Sequence, residues 1–435
     1  MSNMSLNIRY RADIRKNVMC MKKLTLTMLL LAALALALPL TGCTGTEQAD
    51  TALQPMIMRY DEDINISYLH YLDANSYIYT YDAYDQNLVR LAFADADGGH
   101  IAWTYPIPDM GGSMFDRCYT TPARDGLVLR DWGTATHLAV NAKEQTVTPI
   151  IAPYEEIDAD IVPYYDAGFE PLTEVYYLDG QQWLVASQTH EPGEYHRVTN
   201  DFYLWSADTT QKLQYSITGG IVDAAWGGSD NDTLYLLGNH GSVFHYSAAT
   251  GRTGVINLPG TKPIATEEVP GRLDYSDIMP INGTDDVAAL FMVETTDDVV
   301  QIFSDAEVTL DDELSTVDGG IHSDGWFTVP GGESQFLGAH TDKIYLLQTY
   351  KDNLPEPDKT IESCRIIQYD RSCGKQTIIF DTAGWVLEQP GHLRLYTGCL
   401  SPDGTQLMVE GLYHTFSTLS HVDPTEQITL MFDLE

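Results

Sequence analysis

The chain has 435 residues, of which 44% are hydrophobic and 20% are charged, and its formal net charge at pH 7 is −38. A chain of this length and apolar content can bury a sizeable core. Because 62 acidic residues outnumber 24 basic ones, its surface repels nucleic-acid phosphates, which excludes nucleic acid as a partner. Such a surface also gains nothing from anionic lipid headgroups.

The first 42 residues have the order of an export signal. Lys22 and Lys23 precede an uncharged apolar run, 24–40, which ends just before Cys43. A positive flank, a short apolar run and a small-residue cleavage site are typical of a secretory signal, and the run is short for a membrane span. Translation is expected to begin at Met21, where a complete signal starts. A long positive leader is the alternative.

The sequence Leu40-Thr41-Gly42-Cys43 resembles the lipobox of bacterial lipoproteins. The resemblance implies that Cys43 is acylated, becomes the new N-terminus and anchors an exported protein to the extracytoplasmic face of the cell membrane. An ordinary signal peptide with a cysteine nearby is the alternative. Removing residues 1–42 takes away six basic residues and one acidic residue, so 18 basic and 61 acidic residues remain.

Residues 43–56 are polar and predict a flexible tether, and residues 57–435 predict one all-β domain. Within that domain a strand, a polar turn and a second strand recur. Seven copies are found, at 91–103, 137–150, 202–217, 243–258, 300–310, 365–380 and 419–432. Each copy leaves room upstream for two more strands.

Seven units of four strands predict a seven-bladed β-propeller, in which blades pack face to face and each buries an apolar face that it could not bury alone. The run Leu400-Ser401-Pro402-Asp403-Gly404-Thr405-Gln406-Leu407 resembles the Ser-Pro-Asp-Gly turn of WD-like and TolB-like propeller repeats. The other blades have drifted from this pattern, and no functional residue transfers from the resemblance. Six or eight blades, or tandem β-sandwiches, are the alternatives.

The cysteines that remain besides Cys43 are Cys118, Cys364, Cys373 and Cys399. We expect free and mostly buried thiols, although an exported protein is permitted to form disulfides. No metal site or cofactor is predicted. Asp95-Ala96-Asp97-Gly98 is similar to the start of a calcium loop but lacks its later ligands, so a hairpin turn is expected there, with Ca²⁺ as the alternative.

Two insertions interrupt the repeats, at 152–173 and 352–360. Long loops in compact repeats are often functional. The first insertion combines acidic and aromatic side chains that could form the rim of a site for a basic or sugar-like ligand. The candidate rim residues are Asp158, Asp160, Tyr164 and Tyr165. A packing insertion is the alternative.

No catalytic motif of a hydrolase, metalloprotease or phosphate-binding protein is found in the sequence. We therefore expect a monomeric, membrane-tethered propeller that binds a ligand or a partner protein or glycan and is not an enzyme. A carbohydrate-active hydrolase or lyase with a carboxylate pair in the propeller funnel is the first alternative. A structural envelope lipoprotein is the second.

Overall fold

Seven sheets, each with four antiparallel strands, follow one another in the residues that the computed structural model describes. Those residues are 47–48, 53–59, 65–71, 76–83, 86–93, 100–107, 115–120, 126–131, 136–141, 144, 146–164, 172–178, 182–191, 194–227, 232–239, 241–257, 273–284, 286–293, 297–304, 317–318, 326–330, 332–353, 360–383, 385, 387, 391–415 and 425–434. The sheets are the blades of the predicted seven-bladed β-propeller, and they are numbered 1 to 7 in chain order.

Two strands precede blade 1, namely β1 (Glu47–Gln48) and β2 (Met56–Arg59). Blade 1 contains β3 (Asn65–Tyr71), β4 (Ser76–Ala83), β5 (Gln86–Phe93) and β6 (His100–Ile107). Blade 2 contains β7 (Phe115–Thr120), β8 (Gly126–Asp131), β9 (Thr136–Asn141) and β10 (Thr146–Ile151). The helix α1 (Tyr154–Ile161) and a 3-10 turn (Val162–Tyr164) follow. Blade 3 contains β11 (Leu172–Tyr177), β12 (Trp183–Glu191), β13 (Glu194–Ser206) and β14 (Thr209–Thr218).

Blades 4 to 7 complete the ring. Blade 4 contains β15 (Ile221–Gly227), β16 (Thr233–Gly238), β17 (Ser242–Ser247) and β18 (Thr253–Asn257). Blade 5 contains β19 (Leu273–Pro280), β20 (Asp286–Val293), β21 (Asp297–Ser304) and β23 (Trp326–Pro330), and the two-residue β22 (Val317–Asp318) pairs with β18. Blade 6 contains β24 (Glu333–His340), β25 (Lys343–Asn353), β26 (Thr360–Asp370) and β27 (Lys375–Asp381). Blade 7 contains β28 (Gly391–Leu400), β29 (Gln406–Thr415) and β30 (Thr425–Asp433).

The fourth strand of blade 7 comes from the other end of the chain. β2 pairs antiparallel with β30, with Met56 opposite Met431 and Arg59 opposite Ile428. The first strand of blade 7, β28, also lies beside the first strand of blade 1. The N-terminal segment therefore closes the ring, and part of the expected tether, 43–56, is paired strand.

Two of the seven predicted hairpins are wrong in detail. The return strand expected within 300–310 is instead β23, which pairs with β21. In the copy at 419–432, β30 pairs with β29 and with β2 instead of with a strand of the same hairpin. Here the fourth strand of the last blade comes from the N-terminal segment, so the last repeat does not supply all of its own strands.

The core is divided into apolar layers between neighbouring blades. Tyr235 and Val287 lie in the layer between blades 4 and 5, and Leu346 lies in the layer between blades 5 and 6. All six residues of β16 are buried, as expected for a strand that packs against blades on both sides. Burial between blades, rather than in one central core, stabilises this fold.

Blade 3 departs from the pattern of the other blades. In each of the other six, the pairing of the first strand with the second is interrupted by one bulged residue; these are Ser67, Asp116, Val222, Ser276, Leu337 and Tyr396. In blade 3, β11 and β12 pair without a register shift. Moreover, β7 of blade 2 lies directly beside β15 of blade 4, so blade 3 does not separate its two neighbours at the level of these strands.

Candidate functional site

Both insertions leave the same end of the propeller. In a four-stranded antiparallel blade, the link from the second to the third strand and the link to the next blade emerge at one end, and the two other turns emerge at the opposite end. The segment 152–171 links β10 to β11, and 354–359 links β25 to β26. We call their end the insertion end. We call the opposite end, which carries the turns 207–208, 341–342, 371–374 and 401–405, the hairpin end.

The helix α1 fixes the first insertion onto blade 3. Its side chains Ile157 and Ile161 are four residues apart, which places them on one face of the helix, and both are completely buried. They pack in a cluster with Trp183 and Tyr203 of blade 3. Glu155 and Glu156 lie in its first turn, where negatively charged carboxylates interact favourably with the helix dipole and stabilise the helix.

The two candidate carboxylates on this helix both accept hydrogen bonds from blade 3 side chains. The hydroxyl of Thr173 donates to Oδ1 of Asp158 at 2.7 Å. The indole Nε1 of Trp205 donates to Oδ2 of Asp160 at 2.8 Å, and Thr210 Oγ1 donates to the same oxygen at 3.4 Å. These contacts hold α1 in place, and both residues keep exposed surface.

The remaining candidate residues are placed only in part. Tyr164 ends the 3-10 turn Val162–Tyr164, whereas Tyr165, Cys43 and the Asp95–Gly98 turn lie outside the described residues. The structure thus brings Asp158, Asp160 and the backbone of Tyr164 together at the insertion end. Their role as a ligand rim stays a prediction.

A pair of carboxyl groups that the sequence did not reveal lies at the seam between blades 4 and 5. Asp223 on β15 and Asp277 on β19 hydrogen bond to each other. Oδ2 of Asp223 accepts the backbone N–H of Ile278 at 2.8 Å, and Oδ2 of Asp277 accepts the N–H of Phe336 on β24 at 3.1 Å. The pair therefore links the first strands of three consecutive blades.

Burial raises the pKa of Asp277 well above its ordinary value of 3.8, and the charge of Asp223 and their mutual hydrogen bond raise it further. Glycosidases hold their two carboxyl groups about 5–5.5 Å or about 6.5–9.5 Å apart, with substrate or water between them. Here the two groups are in direct contact and each holds a backbone N–H of the next blade. This geometry suits a structural clamp.

A third carboxylate lies inside blade 7. Glu410 is completely buried; it accepts a hydrogen bond from the hydroxyl of Thr429 and one from Nε2 of Gln427 at 3.4 Å. Burial raises the pKa of nearby Tyr396 to about 12, against the opposing effect of Arg394. Glu410 and the Asp223–Asp277 pair belong to different blades.

The Ser-Pro-Asp-Gly turn has the position that the resemblance implies, between β28 and β29. Ser401 is completely buried. Its Oγ accepts the N–H groups of Thr405 at 3.1 Å and Gln406 at 2.9 Å and donates to Asp403 at 2.7 Å. The turn is held by its own hydrogen bonds.

The side chains of three cysteines are described, whereas Cys118 is placed only by its backbone, in β7. Cys364 and Cys399 are buried free thiols, and Cys373 is an exposed free thiol, in agreement with the expectation for these three. Burial strongly raises the pKa of the Cys399 thiol. Within the described ranges, no group of three or more His, Cys, Asp or Glu side chains is arranged to hold a metal ion, and no helix is long and apolar enough to span a membrane.

Comparisons with known proteins find similarity of structure only. No protein-family model matches the chain, and no curated protein matches it. The structure of U3-55K is 10% identical, with a TM-score of 0.44, and covers 90% of this chain and 100% of its own. The WD40 domain of Toxoplasma gondii coronin is 11% identical, with a TM-score of 0.40, over 89% of this chain and 86% of its own. The structure of YCF48 bound to D1 peptide is 11% identical, with a TM-score of 0.43, and the match covers 90% of this chain and 99% of its own. We transfer no residue or function from these structures.

Proposed function

We propose that this chain is a membrane-tethered, extracytoplasmic propeller that binds a ligand or a partner protein at its insertion end and does not catalyse a reaction. The observation that carries the proposal is the docking of α1. Ile157 and Ile161 are buried against blade 3, and this fixes an acidic, tyrosine-containing insertion at the end from which the second insertion also emerges. Function in propellers resides in such sites and not in the fold itself.

The clamp between blades 4 and 5 supports the non-catalytic part of the proposal. Asp223 and Asp277 each accept a backbone N–H of the next blade with one carboxyl oxygen, so both groups already serve a structural role. A rigid ring with an acidic, partly aromatic rim is suited to a basic peptide or to a glycan, since tyrosine offers stacking area and a hydroxyl.

The membrane part of the proposal rests on Cys43. The Leu40-Thr41-Gly42-Cys43 sequence supports acylation at this residue. A single acyl chain gives only marginal anchoring, so a diacylglyceryl group would be needed for stable attachment. The protein acts as a monomer on the extracytoplasmic face.

A binding screen on the soluble fragment 44–435 tests the proposed binding function. Basic peptides, glycans and divalent cations are added, and the thermal unfolding midpoint is followed, because a ligand that binds only the folded state raises it. The ligand that shifts the midpoint is then titrated against an Asp158→Asn/Asp160→Asn variant. Asparagine keeps an oxygen that accepts the bonds from Thr173 and Trp205 but removes the two charges.

The matched control is Asp208→Asn/Asp342→Asn, which removes two exposed charges from turns at the hairpin end. The proposal expects weaker binding of a basic ligand only in the first variant. Equal losses in both variants would place binding elsewhere, and turnover of a bound glycan would favour the enzyme alternative.

A further inference from the structure

The segment that joins the anchor to the ring is held at the outer edge of blade 6. β1 pairs parallel with β27, with Glu47 opposite Thr377 and Gln48 opposite Ile378. Further along, the N–H of Leu53 donates to the carbonyl of Ile379 at 3.0 Å, and Leu53 packs against the apolar layer between blades 6 and 7. The chain is therefore tied to this edge before it enters β2.

The direction of that pairing points toward one end of the propeller. Because β1 and β27 are parallel, the N-terminal end of β1, at Glu47, points toward the side on which β27 begins, at Lys375. This is the hairpin end, next to the turn 371–374. Cys43 precedes Glu47 by four residues, which span at most about 14 Å when fully extended.

The hairpin end of blade 6 carries as many acidic as basic residues when the neighbouring Asp286 of blade 5 is included. The basic residues are Lys343, Arg371 and Lys375, and the acidic residues are Asp342, Asp370 and Asp286. Lys343 pairs with Asp370 at 2.8 Å, and Arg371 pairs with Asp286 of blade 5. Residues 43–435 as a whole carry 18 basic and 61 acidic residues, so an anionic lipid surface repels this region less than it repels most of the protein.

The turn 371–374 is rigidly mounted. The N–H of Arg371 donates to the carbonyl of Asp342 at 2.7 Å, and that of Gly374 donates to the carbonyl of Asp370 at 2.7 Å. Oδ1 of Asp370 accepts the N–H of Ser372 at 2.9 Å. Such a turn can rest against a surface without losing its shape.

We propose that the hairpin end of blade 6, with the turn 371–374 at its tip, faces the lipid bilayer, so that the insertion end faces away from it. This orientation rests on the proposed lipid anchor at Cys43. A bilayer at this end leaves the candidate rim around α1 open to ligands or partners from outside the membrane.

Short-range fluorescence quenching in vesicles tests the orientation. The full chain is produced in a bacterium with its own signal, purified in its acylated form and reconstituted into phosphatidylethanolamine–phosphatidylglycerol vesicles that contain a headgroup-nitroxide lipid. A maleimide fluorophore is attached to the exposed Cys373, and peptide mapping verifies the labelled position. The matched protein carries Cys373→Ser and Ala383→Cys, which moves the label to an exposed position beyond the other end of β27.

We expect quenching at least about twofold stronger at 373 than at 383, because the seven residues of β27 separate the labels by roughly 20 Å. Inserting a 20-residue Gly-Ser linker between residues 46 and 47 should remove the difference. Equal quenching without the linker, or stronger quenching at 383, overturns the orientation.

Flotation of the same vesicles separates the two proposals. If the protein floats with vesicles and the Cys43→Ser variant does not, the anchor is supported and the quenching result judges the orientation alone. If the protein fails to float, both the anchor and the orientation are wrong.

Discussion

The carboxyl groups of Asp223 and Asp277 hydrogen bond to each other across the seam between blades 4 and 5. Two carboxyl groups can form such a bond only when one of them carries a proton. Burial and the neighbouring charge both raise the pKa of Asp277, so the folded protein keeps this proton to a higher pH than the unfolded chain does. The seam is therefore sensitive to pH in a defined direction.

The first prediction concerns the pH dependence of stability. A carboxyl pKa that is raised on folding contributes stability that is present below the unfolded value, 3.8, and is lost as the pH rises through the folded value. The uncharged side-chain amide of an Asp277→Asn variant would imitate the protonated acid at every pH. We expect the free energy of unfolding of the variant to increase relative to that of the wild type as the pH rises above about 4. Urea denaturation across the pH range measures this difference.

The control for this prediction is Asp277→Ala, which leaves the N–H of Phe336 without its acceptor. It should destabilise the protein by about 1–3 kcal/mol, the cost of an unsatisfied buried donor. A difference between wild type and Asp277→Asn that stays constant with pH would contradict a shared proton.

The second prediction concerns ring closure by β2. Met58 is completely buried between blades 7 and 1, and the hydroxyl of Tyr77 contacts its sulfur at 3.8 Å. We expect Met58→Ala to lower the free energy of unfolding by about 2–5 kcal/mol through loss of apolar contact and creation of a cavity. Chemical denaturation of fragment 44–435 measures the change.

The adjacent Arg59 provides the control. It is exposed and pairs with Glu426 at 3.4 Å, and truncation of such a surface ion pair should cost less than about 1 kcal/mol. Similar losses for Met58→Ala and Arg59→Ala would mean that β2 does not close the ring through the core.

Hairpin patterns such as QYDRSCGKQTI at 368–378 predicted the blades, because the two strands and the turn of a hairpin are formed by residues that lie close together in the sequence. The closing strand was missed because Met56–Arg59 pairs with β30, almost the whole chain length away. The bulges in the first strands were also missed, since residues as different as Ser67, Val222 and Tyr396 occupy them. Nothing in the side chain of a bulged residue identifies it.

The candidate site, too, could be predicted from the sequence only in part. Asp158 and Asp160 were found because an acidic, aromatic insertion interrupts the repeats, but their bonds to Thr173 and Trp205 depend on how α1 docks. Asp223 and Asp277 are 54 residues apart, and only the packing of two blades brings them together. Among 62 acidic residues, no local signal distinguishes such a pair.

The third prediction concerns the Ser-Pro-Asp-Gly turn. Gly404 has a φ of +74°, and a Cβ atom there would lie 2.7 Å from Cγ of His340. Gly374 has a φ of +68° with nothing within 4 Å of a Cβ. We expect Gly374→Ala to cost about 1 kcal/mol from backbone strain alone and Gly404→Ala to cost clearly more.

A double variant separates the two causes. Adding His340→Ala removes the ring that the new methyl group meets, so it should recover part of the loss in Gly404→Ala and none of the loss in Gly374→Ala. Thermal and urea denaturation of the single and double variants measure this coupling. Absence of recovery would show that strain, and not contact with His340, makes position 404 intolerant.

The fourth prediction concerns thiol reactivity. Cys373 is exposed, whereas Cys364 and Cys399 are buried, and burial raises the pKa of the Cys399 thiol so that little thiolate forms. A thiol reagent at pH 8 should modify Cys373 rapidly and leave the two buried thiols unmodified until denaturant is added. Mass spectrometry of peptides assigns the sites, and fast modification of Cys399 in the folded protein would contradict its burial.

The last prediction concerns α1 and distinguishes docking from binding. Ile161→Ala removes a completely buried side chain from the contact with blade 3 and should cost about 2–5 kcal/mol. Glu156→Ala, exposed on the same helix, should change stability by less than about 0.5 kcal/mol. If α1 presents the rim, Ile161→Ala should also weaken binding of the ligand found in the screen at temperatures where the ring remains folded. Unchanged affinity with lowered stability would show that α1 only fills the space beside blade 3, as in the packing alternative.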